Sequence, residues 1–267
     1  MSGDSQDFGR SLRLKGRGGG SLECARLLSY PVLREDLISR RLSKLRYLGF
    51  KNCVDLGNYE LWGVKVLGKG HSSIVLAAEF NGLGYSAVKI LRVDSKRDSL
   101  LLECDLMKKA FPVAPRVYYC DDELIVMELI KGVKLGDIVP HVTSCRDLVT
   151  LYLKVLAVVR YLDSINVTHK ELNILRKHVI IDEKGGIRII DFESGFSGFT
   201  CNVCRAFSAL FMRDQRIKEC CDLRQYNKNL LLELLSSYKK TNSEEFFVRL
   251  VKTLTNICGD SSCKCVD

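Results

Sequence analysis

Apolar and polar positions change period several times along the chain. Leu33, Leu37, Ile38, Leu42, Leu45 and Leu48 recur at helical spacing with charges between them, predicting a helix stopped by Gly49. From Leu61 the pattern becomes β-rich. Trp62 to Leu67, Ile74 to Phe80 and Tyr85 to Leu91 read as short strands divided by Gly-containing turns. Helical spacing returns at 96–110. There Leu100, Glu103, Leu106, Met107 and Ala110 share one face, and Asp98, Asp105 and Lys109 share the other. Ser95 with Asp98 has capping-box spacing. Leu124 to Ile130 is one more strand, interrupted at Gly132.

The second half is mainly helical. Leu148, Leu151, Tyr152, Val155, Leu156 and Val159 form an apolar face, with Ser144 and Asp147 placed as its cap. Val179–Ile181 and Ile187–Ile190 flank Asp182-Glu183-Lys184-Gly185-Gly186, a hairpin signature. Helices near 202–212, 222–239 and 243–257 complete the order. These elements divide into a tail at 1–20, a helical extension at 21–60, a β-rich lobe at 61–130 and a helical lobe at 131–267.

Composition narrows the class. Of the 267 residues 46% are hydrophobic, enough for a sizeable core. No apolar run reaches the roughly 18 to 20 residues of a membrane span, so no membrane partner is expected. The first twenty residues are polar and Gly-rich, unlike a secretory signal, which points to a cytoplasmic protein. Net charge is +9, and residues 1–51 hold eleven Lys/Arg against five Asp/Glu. A flexible basic tail of this kind suits an acidic partner such as RNA, or is simply solvated. Twelve cysteines include one C-x-x-C, Cys201 to Cys204. A structural zinc site usually wants two such pairs, so free thiols are the main expectation and disulfides the alternative.

Chemistry concentrates in a few places. Leu67-Gly68-Lys69-Gly70-His71-Ser72-Ser73-Ile74-Val75 is a turn between strands, where glycines let backbone close over phosphates. Lys89 follows on the next strand, placed to contact phosphates rather than to decorate a surface. Glu103 is centred on an apolar helix face, so it needs a cationic partner, and Lys89 is the obvious one. Val167-Thr168-His169-Lys170-Glu171-Leu172 precedes the 179–190 hairpin, and Asp191-Phe192-Glu193 follows it. A hairpin ends near where it began, so Glu171 and Asp191 can share one cleft as base and metal ligand.

This ordered set resembles the protein-kinase signatures, including a Met127-Glu128 hinge. More narrowly it resembles the archaeal predicted serine/threonine kinases with His-Lys-Glu and Asp-Phe-Glu-Ser motifs, relatives of the minimal RIO-type kinases. The resemblance covers roughly Leu61 to Phe196. It implies an α+β, two-lobed protein-kinase-like fold, with one helix in the β-rich N-lobe and a small helical C-lobe. It implies ATP and Mg²⁺ as cofactors and an unidentified protein substrate. Gly68, Gly70 and Ser73 would cover the phosphates, with Val75 in the same nucleotide site. Lys89 would bind phosphates, steadied by Glu103. Met127 would line the adenine pocket, and the backbone of Glu128 and Leu129 would hydrogen-bond the base. Glu171 would take the catalytic position, and Asp191 would hold Mg²⁺.

Departures from the pattern matter as much. Glu171 stands for Asp, one methylene longer. Five residues on, where kinases place a metal-binding Asn, stands Arg176. Aligning from the hairpin strand puts His178 there instead, with Asn173 a further candidate. Glu193 replaces the Gly of Asp-Phe-Gly and offers a second metal ligand. No Ala-Pro-Glu segment follows, and a helix is expected almost at once, near Asn202. The leading expectation is serine/threonine phosphoryl transfer, autophosphorylation and ATPase switching included. A small-molecule kinase, and an ATP-binding pseudokinase or RNA-associated assembly factor, are the rivals.

Overall fold

The computed structural model describes residues 24–259. The tail read at 1–20, and Cys263 and Cys265, lie outside them. The chain is mixed α+β with antiparallel sheets, in two compact units that divide after Arg97. None of its described helices is long and apolar enough to cross a membrane.

In the first unit, the helix Glu35–Tyr47 buries Leu37, Arg41 and Leu45, one face at four-residue spacing. A buried guanidinium needs acceptors, and Arg41 Nη1 donates to Leu28 O at 2.6 Å and Leu91 O at 2.9 Å. Gly49 stops the helix as expected. Its φ is +89°, and a Cβ there would sit 2.9 Å from Asn81 O, so only glycine fits. The chain then makes a strand the sequence pattern did not disclose, Phe50–Val54. It pairs antiparallel with Ser73–Phe80, which pairs in turn with Gly84–Leu91. The expected strand Trp62–Leu67 is instead two arms of a hairpin, Tyr59–Leu61 and Val64–Val66. Trp62 and Gly63 both take positive φ, the conformation a two-residue hairpin turn requires.

The single helix expected in the β-rich lobe is also corrected. The β-rich unit carries Glu35–Tyr47 and the short 3-10 turn Arg26–Ser29, while the helix read at 96–110 belongs to the second unit. That helix runs Leu101–Lys109, without the capping box. Ser95 Oγ accepts from Arg97 N and Ser99 Oγ from Leu101 N, so local turns use the hydroxyls instead. Its faces are as read: Leu100, Glu103, Leu106, Met107 and Ala110 are all buried.

The second unit is built on the helix Cys145–Ser164, capped by Ser144 Oγ accepting from Asp147 N. Leu148, Tyr152, Val155, Leu156 and Val159 are fully buried against the surrounding helices. One of these, Gln215–Cys220, was not foreseen; Asp214 caps it. Tyr152 hydroxyl donates to Asp214, and burial with that carboxylate pushes the phenol up to about 12. The hairpin Val179–Asp182 and Ile187–Ile189 forms as expected, its turn closed by Asp182 Oδ1 accepting from Lys184 N and Gly186 N. Gly132–Lys134 adds a third strand along Val179–Asp182. There a Cβ on Gly132 would lie 2.3 Å from Ile181 O, so the glycine that breaks the pattern also allows the pairing.

The expectation of free thiols is overturned. All ten described cysteines are paired: Cys24–Cys53, Cys104–Cys120, Cys145–Cys220, Cys201–Cys204 and Cys221–Cys258. Sequence spacing carries no pairing information, whereas folding brings each pair's Cα atoms within 4.1 to 6.4 Å. Such density belongs to oxidising surroundings or to the interior of a hyperthermophile. The longest loop bridged among the described cysteines, Cys145 to Cys220 at a separation of 75 positions, removes the most chain entropy from the unfolded state. Replacing both with Ser is expected to cost about 2–5 kcal/mol in denaturant melts, and more than the same change at Cys201 and Cys204.

Candidate active site

The second unit gathers the sequence-derived acids at one end of its hairpin. Ile190 N donates to His178 O at 2.9 Å, so the residues entering and leaving the hairpin are clamped side by side. Asp191 comes next, at φ +67°, a left-handed conformation costly for a residue with a Cβ and frequent at functional sites. Glu171 arrives by another route. It begins the 3-10 stretch Leu172–Lys177, whose Leu172 and Leu175 are buried anchors.

The result is one cluster: ligating atoms of Glu171, His178 and Asp191 all lie within 4.8 Å of one another. His178 Nε2 is 3.1 Å from Glu171 Oε2, and Nδ1 is 3.7 Å from Asp191 Oδ2. The first contact lacks hydrogen-bond alignment despite its length. The imidazole stands between the two carboxylates, Nε2 toward Glu171 and Nδ1 toward Asp191. Two carboxylates and an imidazole suit a divalent ion, with Mn²⁺ accommodated better than Mg²⁺ by the nitrogen donor.

Among the alternatives for the missing Asn, geometry discriminates. Arg176 Nη2 donates to Tyr152 Oη at 3.0 Å and to Asp214 Oδ2 at 2.5 Å, facing the helical core. His178, and not Arg176, therefore stands with the acids. Asn173 is exposed and lines a surface depression with Thr200 and Arg205. Glu193 is half-buried beside the fully buried Phe192 and is not part of the three-residue cluster.

The loop bearing Glu171 is braced by residues that the sequence reading missed. His169, quoted only as part of a motif, is fully buried. Its Nε2 lies 3.1 Å from Ile190 O, and its ring meets Phe192 edge-on at 5.1 Å. His169 N donates to Asn202 Oδ1 at 2.9 Å, and Asn202 Nδ2 donates to Val167 O at 2.7 Å. Asn202 in turn is fixed by Asp163, whose carboxylate accepts from Asn202 N, Val203 N and the Tyr238 hydroxyl. Burial raises the Asp163 carboxyl above its ordinary value against the pull of these donors. No spacing announces this network, because its members are far apart in sequence. A polar residue breaking the apolar face of Cys145–Ser164 was the one available signal.

The hinge strand is Leu124–Glu128, shorter than read, paired with Val117–Cys120. Met127, Glu128 and Leu129 are all half-buried. Glu128 N already donates to Arg116 O at 2.8 Å, which takes that amide away from the expected contact with a base. Its carboxylate accepts from Arg188 at 2.6 and 3.1 Å and from Arg116 N. Burial pushes this acid up, but the Arg188 and Arg116 donors outweigh it and hold it below the ordinary value.

In the first unit, the phosphate-loop residues form a tight turn. Gly68 and Lys69 pair with Val75 and Ile74, and Gly70 N donates to Ser73 O at 2.8 Å. Neither glycine has a left-handed φ, and a Cβ would come no nearer than 3.8 Å at Gly68 or 3.4 Å at Gly70. Nothing within the fold requires glycine at either place. Ser73 is buried at 3% exposure and Lys89, opposite Val75 on the next strand, at 4%. Glu103, in the second unit, is 1% exposed. Both charges are thus core groups rather than surface residues. No protein-family model matches the chain, and neither does any curated protein.

His169 supplies a pH test. Burial holds its imidazole below the ordinary value of 6.5. It stays neutral in the fold while the unfolded chain takes up a proton, so stability is complete above pH 6.5 and falls as pH drops below it. Thermal melts from pH 7.5 to pH 5 (about one unit above and one and a half below that value) should show this loss. His169→Gln should be less stable at pH 7.5 and flatter in that window.

Proposed function

We propose that this protein is an ATP- and divalent-cation-dependent phosphotransferase that acts on a serine or threonine hydroxyl. The observation that carries the reading is the convergence of Glu171, His178 and Asp191 at the hairpin base. Three residues spread over 21 positions come within 4.8 Å of one another there, a donor set that a divalent cation could use.

Asp191 and His178 would hold the cation, whose charge would neutralise phosphate oxygens. Glu171 would accept the proton of the attacking hydroxyl. Gly68, Gly70, Ser73 and Val75 would serve the phosphates, and the open space at the two glycines suits a ligand and is not required by the fold. Lys89 would add a fixed positive charge. Met127, Glu128 and Leu129 would border the base. Catalysis of this kind rests on positioning and charge neutralisation. The fold resemblance implied is that of a two-lobed kinase, and Glu193 and Asn173 remain outside the proposed ligand set.

The test separates roles. Lys89→Ala should weaken ATP binding and stability, since it removes one charge of a buried set. Asp191→Asn and His178→Ala should weaken Mn²⁺ binding, read by calorimetry, and abolish metal-dependent turnover. Glu171→Gln should leave ATP binding intact and lower transfer by about 10²- to 10⁴-fold. Wild-type transfer by Glu171→Gln refutes its role as base. Normal Mn²⁺ binding and turnover by the Asp191 and His178 variants refutes the whole reading.

A further inference from the structure

We propose that the Cys201–Cys204 disulfide is an exchange site for a small anionic thiol of the glutathione class, and that its reduction loosens the loop carrying Glu171. Four observations converge. The bridge closes a ring over only three positions of chain, unlike the other four, which span 16 to 75. Its two sulfurs are unequal. Cys201 is 1% exposed and touches one surface depression, while Cys204 is half-buried and borders that depression and a neighbouring one. One depression is lined by Asn173, Thr200, Arg205, Arg213 and Lys239 beside the disulfide, with three cations and no carboxylate. Attraction of that kind concentrates an anionic reactant at Cys204 Sγ.

The fourth observation is the backbone at Cys201 and its link to Asn202. Cys201 is held at φ 57°, ψ 73°, left-handed and costly for a side chain with a Cβ. Asn202, next in the chain, is the fully buried clamp on His169 N and Val167 O. Freeing Cys201 from the small ring removes a constraint on its backbone, and Asn202 cannot follow that relaxation without releasing its partners.

The chemistry balances. The thiolate of the incoming thiol attacks Cys204 Sγ, the bond to Cys201 breaks, and its electron pair leaves on Cys201 Sγ, which takes a proton from water. A second molecule of the thiol attacks the mixed disulfide. Cys204 leaves as thiol, and the two reagent thiols depart as one disulfide. The protein gains the two electrons that the reagent loses.

Glutathione and its diethyl ester are the probes, since they share the thiol and differ in their carboxylates. Mass spectrometry of the full chain should find the mixed disulfide on Cys204, formed at least about tenfold faster with glutathione at low salt. The advantage should vanish at about 1 M salt, where the Debye length is about 3 Å, and in Arg213→Glu/Lys239→Glu. Equal rates, or modification chiefly at another cysteine, overturn the site. Hydrogen exchange at the His169 amide reads the coupling. After reduction, and equally in Cys204→Ser without reductant, its protection should drop by about tenfold or more. Protection unchanged in both overturns the switch.

Discussion

A carboxylate sealed inside the second unit is the constraint on which the candidate site depends. Asp163 is fully buried and accepts from Asn202 N, Val203 N and the Tyr238 hydroxyl. Leaving a buried acceptor without its donor typically costs about 1–3 kcal/mol, so this arrangement is hard to deform. Asn202 passes the constraint on, holding both Val167 O and His169 N. Glu171 lies two residues further along. Its position is therefore set from the helix Cys145–Ser164 together with the buried Leu172 and Leu175 of its own stretch.

A second fixed point comes from the hairpin. Ile190 N to His178 O locks the two ends together, and His169 Nε2 reaches Ile190 O. The two braces share His169, so the loop and the hairpin hold each other in register. On these supports three ionisable side chains converge, with Asp191 held in a left-handed backbone conformation. Two carboxylates and an imidazole within 4.8 Å of one another offer donors that a divalent cation could use, which is why the cluster reads as a site.

Disulfides and core packing divide the remaining work. The bridge Cys104–Cys120 ties the helix carrying Glu103 to the strand Val117–Cys120, and Cys145–Cys220 fastens the start of the long helix to Gln215–Cys220. These are structural staples over long loops. Cys201–Cys204 closes too short a ring to act mainly in that way, and its place beside Asn202 gives it a different potential role.

Sequence patterning by itself determined the local elements and the buried faces. The helix face of Leu100, Glu103, Leu106, Met107 and Ala110 is buried as read, and the 179–190 hairpin and the Ser144 cap stand where expected. Each depends on period, turn chemistry or capping, which act over a few residues. The order of motifs also brought Glu171, Asp191 and His178 under suspicion together. Tertiary structure alone decided that His178 rather than Arg176 joins the acids, because a kinked 3-10 stretch turns Arg176 toward Asp214. It alone paired the cysteines, made Phe50–Val54 a strand and recruited Asp163, Asn202 and His169 as braces. Those outcomes rest on contacts between residues tens of positions apart, and a one-dimensional pattern carries no term for them.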